Sequence, residues 1–152
     1  MLKEGEQAPN FTLKSEQGQD ITLSDFKGKK IVLYFYPKDD TPGCTKEACS
    51  FRDVYDDILE ANAIVIGISK DNASSHLKFR DKHNLPFYLL SDPDHKVIES
   101  YGSWQEKKMF GKIYMGITRL TYVVDENGTI IKAYPKVKPD EHGEEVLKIL
   151  RG

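Results

Sequence analysis

The sequence predicts an α/β fold, a central mixed β-sheet flanked by helices. Two continuous apolar runs, Ile31–Tyr36 and Ala63–Ile68, read as buried strands, and residues with helical spacing follow each of them. Near the end, Glu126-Asn127-Gly128 separates two strand-like runs as a hairpin turn does. Strand and helix in alternation, then a hairpin and a final helix, form one layered sheet. A length of 152 residues suits one domain spanning 1–152, and a hydrophobic fraction of 39% excludes disorder.

In order along the chain, a polar N-terminal segment carries only a short apolar patch, Ile21 and Leu23. Ile31–Tyr36 ends at Pro37, and a turn-rich loop covers Lys38 to Gly43. From there to Asn62 the steps of three and four between Ala48, Phe51, Val54, Tyr55, Ile58 and Leu59 are helical. Asn72 to His83 reads as a helix carrying Leu77 and Phe79, stopped before Leu85-Pro86. Phe87–Leu90 is a short strand and Asp94–Tyr101 a short helix. Arg119–Asp125 and Thr129–Tyr134 are the hairpin strands, and Glu141–Leu150 closes as a helix. If the first two strands pair in parallel, their crossover is right-handed.

Charge and cysteine usage narrow the function. Lys+Arg 22 against Asp+Glu 24 leaves a net charge of −2, no electrostatic reason to bind nucleic acid or an anionic membrane. The apolar runs are far too short to span a bilayer, and MLKEGEQAPNF has no secretory apolar stretch. The expectation is a soluble, cytoplasmic protein. Two cysteines are too few for a disulfide framework, so their value is chemical. Four scattered histidines lack ligand spacing to either cysteine, which speaks against zinc. Trp104 reads as packing, and Glu106-Lys107-Lys108 as a solvated face.

The informative stretch runs from Tyr36 to Cys49, where a buried strand gives way to a helix and ligands collect in open α/β sheets. Thr41 suits an N-cap and Pro42 the first helical position. Cys44 then falls in the first turn, where free N–H groups and the helix dipole favour an anion. An inert buried cysteine is the plain alternative. A second cysteine five positions on raises the prospect of a redox pair. Residues five apart on a helix have Cα atoms roughly 8.7 Å apart. A disulfide requires roughly 4.4–6.8 Å. If the two are partners, the first turns must unwind on oxidation.

These residues resemble the peroxiredoxins, in particular the bacterioferritin-comigratory-protein or peroxiredoxin Q group. The resemblance covers almost the whole chain: Ala8-Pro9-Asn10-Phe11-Thr12-Leu13, Leu23 to Lys29, Pro37…Thr41-Pro42-Gly43-Cys44-Thr45…Cys49, Gly67-Ile68-Ser69, Leu85-Pro86-Phe87…Leu90-Ser91-Asp92 and Gly116-Ile117-Thr118-Arg119. It implies a thioredoxin-like fold, Cys44 as the peroxidatic cysteine and Cys49 as the resolving one. It also implies Thr41 bonded to thiolate and peroxide, Pro37 shielding the pocket, Arg119 as the active-site arginine and Glu47 holding it. Leu120 stands where a small polar residue is common, and Asn10 where Asp is usual. The implied activity is thiol peroxidase, with an intramolecular Cys44–Cys49 disulfide, a hydroperoxide substrate, thioredoxin as reductant, no metal or organic cofactor, and a monomer. Two alternatives use the same residues: a peroxide sensor or chaperone, and a thioredoxin-like disulfide reductase. The latter's Cys-x-x-Cys spacing is not the spacing found here.

Overall fold

The computed structural model describes residues 1–152. Its main sheet has seven strands in the order β2-β1-β5-β4-β3-β8-β9. The two central strands are the apolar runs, β3 (Lys30–Phe35) and β4 (Ala63–Ser69), paired in parallel as expected. β5 (Tyr88–Ser91) continues the parallel half. β8 (Leu120–Val124) runs antiparallel to β3, and β9 (Ile130–Tyr134) closes the expected hairpin around Gly128.

Alternation along the central strands divides the core into two clusters, one on each face of the sheet. Val32, Tyr34 and Tyr36 pack with Cys44, Ala48, Phe51, Phe79, Val146 and Leu147 from the helices. Ile31, Leu33 and Phe35 pack with Ile64, Ile66, Ile98, Tyr101 and Tyr122. The first face is covered by α1 (Pro42–Asp53), α2 (Tyr55–Glu60), α3 (Ala73–His83) and α5 (His142–Arg151), and α4 (Lys96–Ser100) lies on the second. No helix is long and apolar enough to cross a membrane.

Three features depart from the sequence reading. The polar N-terminal segment forms a hairpin, β1 (Thr12–Ser15) with β2 (Asp20–Thr22), which adds to the edge of β5. The helix expected as far as Asn62 breaks at Val54, whose φ of −116° and ψ of 14° leave helical geometry. Trp104, read as packing, and Glu106-Lys107-Lys108, read as a solvated face, belong to a separate two-stranded hairpin over residues 104–117. It joins β6 (Trp104–Met109) to β7 (Lys112–Ile117). Its turn places Phe110 and Gly111 both at positive φ, the geometry of a tight primed turn, and Phe110 is 97% exposed. Trp104 stacks on His95 with centroids 4.0 Å apart, beneath the Lys70 ammonium.

α5 docks on the middle of α1 at very short range. The Gly143 N–H donates to Ser50 Oγ at 3.0 Å, and Ser50 Oγ donates to the Glu47 carbonyl at 2.7 Å. A Cβ at position 143 would overlap the Ser50 carbonyl, so only glycine permits this approach.

Candidate active site

The sheet topology brings the site together. α1 starts just beyond the C-terminal end of β3, and β8, being antiparallel, starts beside that end with Leu120 opposite Phe35. Arg119, the residue before β8, therefore meets the first turn of α1 from across the sheet. Its Nη2 donates to Cys44 Sγ at 3.3 Å and its Nη1 to Glu47 Oε1 at 2.6 Å. Cys44 and Glu47, three apart on one helix face, thus share one guanidinium. Gly43 leaves the space that Arg119 crosses, since a Cβ there would lie 3.2 Å from Nη2.

Burial sets the charges. Cys44 is 1% exposed, and the Arg119 side chain is 20% exposed. Burial raises the Glu47 carboxyl to about 7 despite the opposing pull of Arg119. The second carboxyl oxygen, Oε2, is buried with no protein partner, which accounts for that dominance. Burial disfavours the Arg119 charge, but Glu47 and Cys44 outweigh it and the guanidinium is held more firmly charged. Cys49 lies on the same intact helix, half-buried and free. Burial pushes its thiol up, with Arg52 opposing and Asp53 assisting, so it stays protonated at neutral pH.

Thr41 takes the extended N-cap conformation, yet its side chain caps nothing in α1. Its Oγ1 donates to the Lys38 carbonyl at 2.9 Å. The hydroxyl proton is thereby committed, and the oxygen is left to accept a proton donor such as a peroxide O–H. Pro37 is exposed two residues beyond the end of β3. Cys44, Glu47 and Arg119 are brought into contact, whereas Cys49 is kept apart by the helix.

A second cluster supports the loop, and nothing local in the sequence pointed to it. Asp39 accepts from Tyr36 Oη at 2.5 Å, Ser75 Oγ at 2.7 Å and His76 Nδ1 at 2.8 Å. His76 Nε2 lies 3.0 Å from the Leu90 carbonyl. The buried His76 ring thus bridges the Asp39 carboxyl in the loop and the end of β5. Asp40, at a φ of 54°, binds Lys82 and His83. The loop before Cys44 is thus tied to α3 at two successive residues.

The AhpC/TSA family model matches residues 5–133. The chain belongs to the AhpC/TSA family. It is 53% identical over 146 residues to the putative peroxiredoxin bcp of Coxiella burnetii, covering 96% of this chain and 97% of that one. To peroxiredoxin Bcp of Bacillus subtilis it is 52% identical over 147 residues, covering 97% and 94%. Among solved structures, the bacterioferritin comigratory protein of Xanthomonas campestris, studied for alkyl peroxide reduction, superposes with a TM-score of 0.88. That match has 35% identity and covers 93% of this chain and 89% of the other. The fold is that of the thioredoxin-like peroxiredoxins, and the protein is a peroxiredoxin of the Bcp/Q group, a thiol peroxidase.

Proposed function

We propose that Cys44 is the peroxide-reducing nucleophile of this peroxiredoxin and Cys49 its resolving partner. The observation that carries the reading is the single guanidinium shared by Cys44 Sγ and Glu47 Oε1. The Cys44 thiolate attacks the terminal peroxide oxygen, the O–O bond breaks, and the departing oxygen leaves as water or alcohol after taking a proton. The sulfenic acid then condenses with the Cys49 thiol, releasing water and forming a disulfide. An external dithiol, thioredoxin by the family resemblance, reduces that disulfide by exchange. No metal or organic cofactor enters these steps.

Thiolate formation cannot be the main catalytic device. Lowering a thiol's pKa from about 8.5 to about 6 raises the thiolate fraction roughly 30-fold near pH 7. The accompanying loss of nucleophilicity, at a slope of ~0.4–0.5, removes roughly 13-fold of that. What remains must come from orienting the peroxide and stabilising the leaving oxygen, where preorganised donors contribute ~10²–10³ each. Arg119, with Glu47 fixing its orientation, and the N–H groups at the start of α1 supply those donors. Thr41 Oγ1 accepts from the peroxide O–H, and Pro37 shapes the rim.

Resolution requires the Cys44–Cys49 stretch of α1 to unwind, because an intact helix holds the two sulfurs apart. Unwinding also exposes Cys49 and lifts the burial that keeps its thiol protonated. An intramolecular bridge removes any chemical need for a second subunit, which supports action of residues 1–152 as a monomeric single domain. The need for a dithiol reductant favours a thiol-reducing compartment such as the cytoplasm. The deciding experiment is an intact mass after one equivalent of hydrogen peroxide. Loss of two hydrogens per chain, with a peptide joining Cys44 to Cys49, is expected; peroxide consumed with both thiols unchanged overturns the reading.

A further inference from the structure

Ser50, the residue after Cys49, joins α1 to the start of α5. Glu141 precedes α5 without making a side-chain cap, so the N–H of Gly143, the second residue of that helix, needs an acceptor from elsewhere. Ser50 Oγ supplies it from across the helix pair at 3.0 Å. The same hydroxyl donates to the Glu47 carbonyl at 2.7 Å, inside the Cys44–Cys49 stretch. The other end of this chain of bonds is fastened independently of α1. His142 Nε2 lies 2.8 Å from Thr121 Oγ1, which holds the start of α5 to β8. Gly143 has no room for a Cβ against the Ser50 carbonyl, so the two backbones are seated on each other at this point.

We propose that Ser50 is a positioning residue of the resolving step: held by Gly143 and bonded to the Glu47 carbonyl, its hydroxyl braces the Cys44–Cys49 stretch as helix and limits how fast Cys49 reaches oxidised Cys44. The proposal rests on Cys49 being the resolving cysteine. In that step the Cys49 sulfur attacks the sulfenic sulfur, the S–O bond breaks, and water leaves as the S–S bond forms. Helix opening is far faster than thiol chemistry, so the observed rate is the unwound fraction multiplied by the rate of the chemical step. On unwinding, the Glu47 carbonyl leaves Ser50 Oγ and water takes its place, so the bond stabilises the helical form alone. One such bond shifts an equilibrium by roughly two- to tenfold. Alanine is a better helix former than serine and offsets part of this, leaving about two- to fivefold for Ser50→Ala. A second peroxide competes for the waiting sulfenic acid and takes it to sulfinic acid, itself leaving as water or alcohol. The brace thus also sets how much peroxide the protein survives.

The test follows the reduced wild type, Ser50→Ala and Asp125→Ala after addition of hydrogen peroxide, by rapid acid quench and intact mass. Formation of the sulfenic acid and its conversion to disulfide are thereby timed separately. Asp125→Ala is the control: it removes acceptors of the Asn127 and Thr129 N–H groups in the β8–β9 turn, at the opposite end of β8 from Arg119. The expected result is that Ser50→Ala forms sulfenic acid within twofold of the wild-type rate but closes the disulfide about two- to fivefold faster. It should also need a correspondingly larger peroxide excess for half-conversion to sulfinic acid, while Asp125→Ala changes neither quantity. A disulfide rate unchanged in Ser50→Ala, or raised equally by Asp125→Ala, overturns the proposal. Peptide mapping of the oxidised wild type separates the two layers. A Cys44–Cys49 bridge with an unchanged rate in Ser50→Ala removes the brace alone, whereas a wild type that forms no such bridge removes the resolving role of Cys49 together with it.

Discussion

Replacing Glu47 by Gln tests the electrostatics of the site from two directions. The side chain keeps its shape and an oxygen for Arg119 Nη1, but it can no longer titrate. In the wild type the folded carboxyl binds its proton more tightly than the unfolded one, at about 7 against an ordinary value of 4.5. Its contribution to stability is therefore fully present below about 4.5 and is lost as the pH rises through about 7. At about 1.36 kcal/mol per pKa unit, the loss amounts to roughly 3 kcal/mol. Urea unfolding across this range should show Glu47→Gln gaining on the wild type by up to that amount as the pH rises. Activity should move the opposite way. Arg119 loses its charged anchor, and a small misplacement of a positioning group costs on the order of 10–100-fold in rate. Stopped-flow peroxide oxidation at pH 8 measures this. Stability curves that stay parallel in pH, together with an unchanged rate, would refute the reasoning.

The other expectations are more direct. Arg119→Ala should slow peroxide oxidation by about 10²–10³-fold; a rate that recovers at alkaline pH would mean that only thiolate formation was lost. Cys49→Ser should react once at normal speed, then turn over poorly with a thioredoxin system and accumulate sulfinic acid by mass under excess peroxide. His76→Phe removes the ring that bonds Asp39 Oδ2 and the Leu90 carbonyl, leaving a buried acceptor unpaired, and should cost roughly 1–3 kcal/mol, a fall of about 2–12 °C in Tm by calorimetry. Gly143→Ala forces α5 off Ser50 and should cost about 1–3 kcal/mol by urea unfolding, with the rate of the first peroxide reaction nearly unchanged.

How much of this was legible in the sequence depended on whether a signal was local. β3 and β4 are continuous apolar runs buried on both faces, and such runs need no partner to be recognised. The hairpin of β8 and β9 has its Gly128 turn. The β6–β7 hairpin was hidden because Gln105, Glu106 and Lys108 are exposed and its turn is led by Phe110, not by a usual turn former. β1 and β2 are three or four residues long and mostly polar. The break at Val54 was invisible because the apolar spacing continues through it. Within the site, Pro42 and Cys44 announce themselves by neighbouring residues, whereas Arg119 lies 75 positions from Cys44 and only the family resemblance marked it. The Asp39–His76 pair, 37 positions apart, had neither kind of signal.

The interruption at Val54 confines the damage when the neighbouring segment melts. A helix loses order cooperatively, because each surviving turn supports the next. Were residues 42 to 60 one uninterrupted rod, fraying begun at Cys44 could travel toward Glu60 and loosen the packing of Tyr55 and Ile58 beneath it. With Val54 out of register, α2 is a separate cooperative unit, seated on β4 and α5 by its own contacts. In the proposed cycle, the Cys44 end of α1 can come apart and reassemble while α2 and the sheet beneath it stay seated.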